Sequence, residues 1–116
     1  MLIVLTTTPN AAEAEALAEK IVDAKLAACV QILPQMQSVY FWEEKNPVAA
    51  ARGSDGKGEV RKEPEHLLLI KTLEEKFEAL SEFVRQNHSY EVPEIVAVGA
   101  DKISEGYLKW MTDYLT

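Results

Sequence analysis

The sequence predicts a mixed α+β domain in which helices cover one side of an antiparallel sheet. Apolar residues switch between the strand spacing of two and the helical spacing of three and four, in the order strand, helix, strand, strand, helix, strand, helix. A chain of 116 residues with 47% apolar side chains can also fill one core and is too short for two ordinary domains, so residues 1–116 read as a single domain.

Leu2 to Thr8 is apolar and rich in β-branched residues, and it stops at Pro9-Asn10, which cannot easily extend a strand. From Ala11 to Ala27 the period changes: Ala14, Leu17, Ala18 and Ile21 form one stripe, and Asn10 with Glu13 reads as a capping box. Cys29 to Lys45 returns to period two. Val30, Ile32, Met36, Tyr40 and Trp42 share a parity, interrupted at Pro34-Gln35, where a proline suggests an edge or a bulge. HLLLIKT, residues 66–72, is the return strand, and Thr72 with Glu75 reads as a second capping box. Phe77, Leu80 and Val84 then mark the inward stripe of a second long helix. NHSYEVPEI, residues 87–95, hands that helix over to a strand ending at Gly99. A last helix opens at Ser104, with Ile103 and Leu108 at the staple positions. The order βαββαβ with an added C-terminal helix is the ferredoxin-like arrangement.

Between the middle strands, residues 46–64 hold three Gly, two Pro and no apolar periodicity, which predicts a flexible hairpin-tip insertion. GSDGKG is no phosphate loop, because Gly58 rather than Ser or Thr follows Lys57. A formal charge of −7 argues against a nucleic-acid partner, since counterion release needs clustered Lys and Arg. The apolar run after Met1 has no basic residue before it and is too short for a signal peptide or a membrane span, so no membrane partner is expected. Cys29, the lone cysteine, cannot form an intrachain disulfide and fits a reducing compartment, with the cytoplasm as the default.

One strand is too long for its domain. Seven residues of the first strand reach about 23 Å, whereas Cys29 to Lys45 would reach about 55 Å. The overhang, Ser38 to Lys45, carries Tyr40, Phe41 and Trp42, and an exposed unpaired arm of that kind promotes association. A closed homo-oligomer that packs these arms removes the exposure. The alternative folds the aromatics back under the last helix, beside Tyr107, Trp110 and Tyr114.

With the elements placed, TTTPN (6–10), KLAACVQILP (25–34), SVYFWEEK (38–45), LLLIKT (67–72), NHSYEVPEI (87–95) and SEGYLKW (104–110) follow one another with compatible spacing, and the chain resembles the CutA family of divalent-cation tolerance proteins. Residues 46–64 have no counterpart in that resemblance. It implies a ferredoxin-like protomer in a homotrimer, hairpins that build intersubunit sheets, and a general likeness to PII signalling proteins. It puts Tyr40, Phe41, Trp42 and Trp110 at the trimer interface. It also implies an association with tolerance to copper and other divalent cations, and it supplies no established reaction. The chain departs from the family's pattern in having Thr6 where some members have a cysteine, Asn87-His88 where they have a histidine pair, and Glu44 where glycine is usual.

For metal, the candidate ligands are His88, Glu91 and Cys29, and one protomer offers no full set of three or four. Each has a structural alternative: His88 as a helix-end residue and Cys29 as a small buried hydrophobe. His66 reads as a surface residue. Lys71, Tyr90 and Glu94 form a second group, either a structural ion pair or a polar intersubunit cleft for a small anion or a metal complex. No catalytic residue is assigned and no cofactor is required, although copper or another divalent cation is a candidate ligand. An acylphosphatase-like hydrolase needs an arginine near the first strand, and TTTPNAAEAE has none. A lone cysteine excludes a CxxC metallochaperone. The competing reading is a PII-like small-ligand module with no direct metal role.

Overall fold

The computed structural model describes residues 1–43 and 58–116. The elements follow as β1 (Leu2–Thr8), α1 (Ala11–Asp23), β2 (Cys29–Ile32), β3 (Met36–Trp42), β4 (Glu59–Thr72), a 3-10 turn (Glu74–Lys76) leading into α2 (Phe77–Asn87), β5 (Val96–Gly99) and α3 (Glu105–Leu115). The sheet order is β2-β4-β1-β5, all antiparallel, with β3 pairing the first half of β4. This is the expected α+β arrangement.

Helix α1 starts where the sequence says. Asn10 Oδ1 accepts the Glu13 amide at 2.9 Å, and the Asn10 side-chain amide donates to the Glu13 carboxylate at 3.3 Å. The helix ends in a Schellman turn: Leu26 N donates to Ile21 O at 3.1 Å and Lys25 N to Val22 O at 3.0 Å. Lys25 takes the left-handed position usually given to glycine, at φ 57°, and its ammonium lies 5.2 Å from the centre of the Tyr114 ring. The second capping box does not form. Thr72 is still a strand residue, and its hydroxyl donates to Leu26 O at 2.7 Å, so the next helix enters through the 3-10 turn without a side-chain cap.

The core lies between the helices and one sheet face. Val4, Ala14, Ile21, Ala27, Leu68, Ile70, Leu80 and Val84 are fully buried there. Each large aliphatic among them contributes roughly 1.5–3 kcal/mol of transfer free energy. A second cluster, Ala28, Leu73, Met111 and Leu115, seats α3, and Ile103 and Leu108 both pack on it, as the staple requires. Tyr114 donates its hydroxyl to Val22 O at 2.5 Å and ties α3 to the end of α1.

The long second strand is two strands. Ile32 pairs with Leu68 and Met36 with Glu65, so four steps on one side match three on the other. One extra residue sits in the Leu33-Pro34-Gln35 segment, a bulge where the proline predicted it. Beyond it, β3 and Glu59–Glu65 of β4 form a two-stranded ribbon. Of the stretch expected to be a flexible insertion, residues 59–64 are therefore paired strand, and 46–57 lie outside the described residues. Of the two strands of the ribbon, β3 shows period two, whereas Glu59–Pro64 holds only Val60 and Pro64 as apolar residues and so has no alternation by which the sequence could announce it. At its outer end Gly58 is obligatory: a Cβ there would lie 2.3 Å from Phe41 Cζ and 2.4 Å from Trp42 O.

Strand parity defines the other sheet face. Val4, Thr6, Leu68 and Ile70 point to the helices, so Ile3, Leu5, Leu67, Leu69, Val96 and Val98 point away. None of these six is buried, and Val96 and Val98 are about half exposed.

Candidate functional site

Strand β5 covers only Leu2–Leu5 of β1, which leaves the last residues of β1 without a ladder partner on that side. The segment after α2 fills the gap. His88 leaves the helix in extended conformation, and its Nε2 donates to Thr7 O at 2.7 Å while Nδ1 accepts the Tyr90 amide at 2.9 Å. A carbonyl can only accept and an amide can only donate, so the ring is the neutral tautomer with its proton on Nε2. Both nitrogens are committed, and neither offers a metal its lone pair in this arrangement. Asn87, the last helical residue, turns its side chain back along the helix and donates to Phe83 O at 2.8 Å.

Tyr90 packs on His88, with ring centres 4.8 Å apart, and donates its hydroxyl to Glu65 Oε2 at 2.8 Å. Glu65 is only 8% exposed. Burial and the Glu65 hydrogen bond, in that order, raise the Tyr90 phenol well above its usual range, and the nearby Tyr40 and Glu13 add to the effect. The pair joins the loop after α2 to the root of the ribbon.

The other candidates are spread out. Cys29 is half-buried on β2, opposite Lys71 in the ladder. Glu91 and Glu94 are exposed. Lys71 lies six residues along β4 from Glu65, about 20 Å, with its ammonium 5.5 Å from the Tyr107 ring centre. Within the chain, Tyr90 therefore meets Glu65 and not Lys71, and His88, Glu91 and Cys29 do not converge. Among the described residues no three His, Cys, Asp or Glu side chains are grouped to hold a metal. His66 is half-buried at the bulge, with Nδ1 3.1 Å from Leu33 O, and not simply on the surface. Tyr40, Phe41, Trp42 and Trp110 are 37%, 64%, 49% and 51% exposed. The aromatics of the ribbon do not fold back: Trp110 stacks on Tyr107, and Trp42 meets Tyr40 edge-on with the Arg61 guanidinium over its ring.

Glu65 was missed because it follows a stretch read as loop. The alternation of Glu65, Leu67, Leu69 and Lys71 on one side of EHLLLIK was the signal available.

Comparison with known proteins places this geometry. The sequence profile of the family described as CutA1 divalent ion tolerance protein matches residues 2–49 and 56–114, so the part without a family counterpart shrinks from 46–64 to 50–55. Protein CutA, chloroplastic, of Arabidopsis thaliana is 40% identical over 110 residues, 95% of this chain and 53% of that protein. The chain thus spans about half the length of the plant relatives it matches. The divalent-cation tolerance protein CutA of Thermus thermophilus is 37% identical over 96% of this chain and 94% of its own. Among solved structures, the periplasmic divalent cation tolerance protein CutA of Archaeoglobus fulgidus superposes with a TM-score of 0.84 at 27% identity, covering 100% of both chains. With the profile spanning nearly all of the sequence and the fold matching end to end, the chain belongs to the CutA1 divalent ion tolerance family.

Proposed function

We propose that the protein works as a homotrimer that binds divalent cations, copper among them, weakly and between copies, with no resident cofactor and no catalytic role. The observation that carries this reading is the uncovered apolar surface: a helix-free sheet face of Ile3, Leu5, Leu67, Leu69, Val96 and Val98, continued on the same side of the ribbon by Tyr40 and Trp42, with Val39, Phe41 and Val60 exposed on the ribbon's other side. Surface of that extent is covered by association, and a closed ring covers it on every copy. Three copies is the number the family resemblance implies. Divalent cations are supported by the family to which the chain belongs. Weak binding follows from the lack of a ligand group within the described residues of one chain. Cys29 and Glu91 are the first residues to test as shared ligands. The family description names ion tolerance and no reaction, which supports a binding role. Among the described residues no helix is long and apolar enough to cross a membrane, and the lone cysteine supports the cytoplasm as the compartment.

A second reading, a PII-like module that holds a small ligand between copies without touching metal, is favoured by the engagement of both His88 nitrogens. Calorimetric titration with copper and zinc, on protein whose oligomeric state is fixed by sedimentation, separates the two. The first reading expects a trimer with weak saturable heat, reduced at least fivefold in affinity by Cys29→Ser or Glu91→Gln and unaltered by His88→Ala. A flat isotherm in the wild type favours the second, and a monomer overturns both.

A further inference from the structure

Of the charged side chains that β4 carries on its helix-free side, Glu65 and Lys71 are withdrawn from solvent and have no opposite charge among the described residues. Among the described residues the ion pairs are Arg61–Glu59, Arg85–Glu82 and Lys109–Asp113, and neither Glu65 nor Lys71 belongs to one. Glu65 is more than nine-tenths buried, with the Tyr90 hydroxyl as its hydrogen-bond donor. Lys71 is half-buried between its ladder partners Ile3 and Cys29, with its ammonium over the Tyr107 ring. The two project from the same side of one continuous strand, because 65, 67, 69 and 71 share a parity. At about 20 Å they are too far apart to meet within a chain. Leu67 and Leu69, half-buried and apolar, lie between them.

Covering this face would strip water from both charges at once. A desolvated carboxylate or ammonium left unpaired is costly, whereas a pair that meets with good geometry offsets much of that cost. A negative group at one end of an apolar strip and a positive group at the other complement a second copy either head to tail across a two-fold axis or displaced along the strip, and of the two only the displaced contact, repeated around an axis, closes a ring of three. Resting on the homotrimer reading above, we infer that Lys71 of each copy pairs with Glu65 of its neighbour, so that each intersubunit contact holds one ion pair set between Tyr90 and Tyr107. Tyr90 is then a positioning residue: by donating to Oε2 it leaves Oε1 for the neighbour's ammonium. The cleft that the sequence assigned to Lys71, Tyr90 and Glu94 is thereby completed by Glu65, and its two charged sides come from different chains.

The test is a charge-exchange cycle followed by sedimentation equilibrium, with circular dichroism to verify folding. Glu65→Gln and Lys71→Met should each weaken association at least tenfold. The double variant should be no weaker than the worse single, and Glu65→Lys combined with Lys71→Glu should recover to within about threefold of wild type. Additive singles, or an exchanged pair no better than the singles, would overturn the pairing while leaving a wild-type trimer intact. A wild type that does not associate overturns the homotrimer reading itself. A second measurement needs no variant. Zero-length carbodiimide coupling of mixed 14N and 15N wild-type chains should yield a Glu65–Lys71 cross-linked peptide of mixed isotope content, and its absence from an assembled, coupled sample also overturns the proposal.

Discussion

Strand β4 passes through two environments within one run of fourteen residues. Its second half, between β1 and β2, buries Leu68, Ile70 and Thr72 completely, whereas its first half, paired only to β3, leaves Val60 68% exposed. Backbone pairing is continuous across both. The difference comes from what lies over the strand: α1 and α2 cover the body, and among the described residues nothing comparable covers the ribbon. Hydrogen-bonded pairing can therefore extend a sheet beyond its core, but only a second layer of side chains makes that extension contribute apolar burial.

The sharpest way to break this comparison is to truncate one residue in each half. Leu68→Ala should lower unfolding free energy by about 3 kcal/mol, the cost of a filled core site left as a cavity. Val60→Ala should change chain stability by less than about 0.5 kcal/mol. Denaturant titration of both variants, at a concentration where assembly is complete and again where it is not, checks the pair. A large cost for Val60→Ala only in the assembled protein would show that a neighbour supplies the missing layer.

A smaller effect with the opposite sign is expected from Thr6→Val. Thr6 is fully buried in the body, and its hydroxyl has no hydrogen-bond partner among the described residues. Replacing it by an isosteric methyl removes an unsatisfied polar group and should raise stability by about 1 kcal/mol, read as a shift of denaturation midpoint with unchanged slope. A loss of stability would mean that the hydroxyl is satisfied in the folded protein.

The least disruptive probe is the junction between the two regions, where Tyr90 donates to Glu65. Burial and the Glu65 hydrogen bond raise the pKa of this phenol in the folded chain above the ordinary tyrosine value of about 10. The folded state therefore holds this proton after the unfolded chain has released it. Stability from this source is complete below pH 10 and falls as pH rises beyond it toward the folded-state value. Spectrophotometric base titration should find one tyrosine ionising later than the others, and Tyr90→Phe should remove both that late step and its share of the alkaline decline. A late step that survives in Tyr90→Phe would assign it elsewhere.

Legibility followed the same division. The stripe of α1, its Asn10 cap, the Ile103–Leu108 staple and the interruption at Pro34 were all readable, because each reflects a residue facing a nearby apolar or backbone partner. Glu59 to Glu65 was not: its partner β3 keeps Met36, Tyr40 and Trp42 on one parity, whereas EVRKEPE is charged at five of seven positions and lacks the alternation by which a strand is read. The candidate site was half readable for a related reason. His88 and Tyr90 stood out by type, but their partners, Thr7 O and Glu65, lie 81 and 25 residues away, and side-chain chemistry alone does not name a backbone acceptor or a distant carboxylate. The Thr72 cap failed because Thr72 is still paired with Leu2 in the ladder, with its hydroxyl turned to Leu26 O from a loop far away in the chain, and the following turn starts one residue later, from Leu73.

The single surplus residue near Pro34 also sets which side of the ribbon each aromatic occupies. Before it, even-numbered Val30 and Ile32 stand opposite even-numbered Ile70 and Leu68; after it, even-numbered Tyr40 and Trp42 stand opposite odd-numbered Arg61 and Glu59. Deleting one residue there would trade Tyr40 and Trp42 for Val39 and Phe41 on the side that Glu65 shares. A one-codon change in this corner can thus invert the whole arm, leaving its composition almost intact and giving any docking neighbour a different surface.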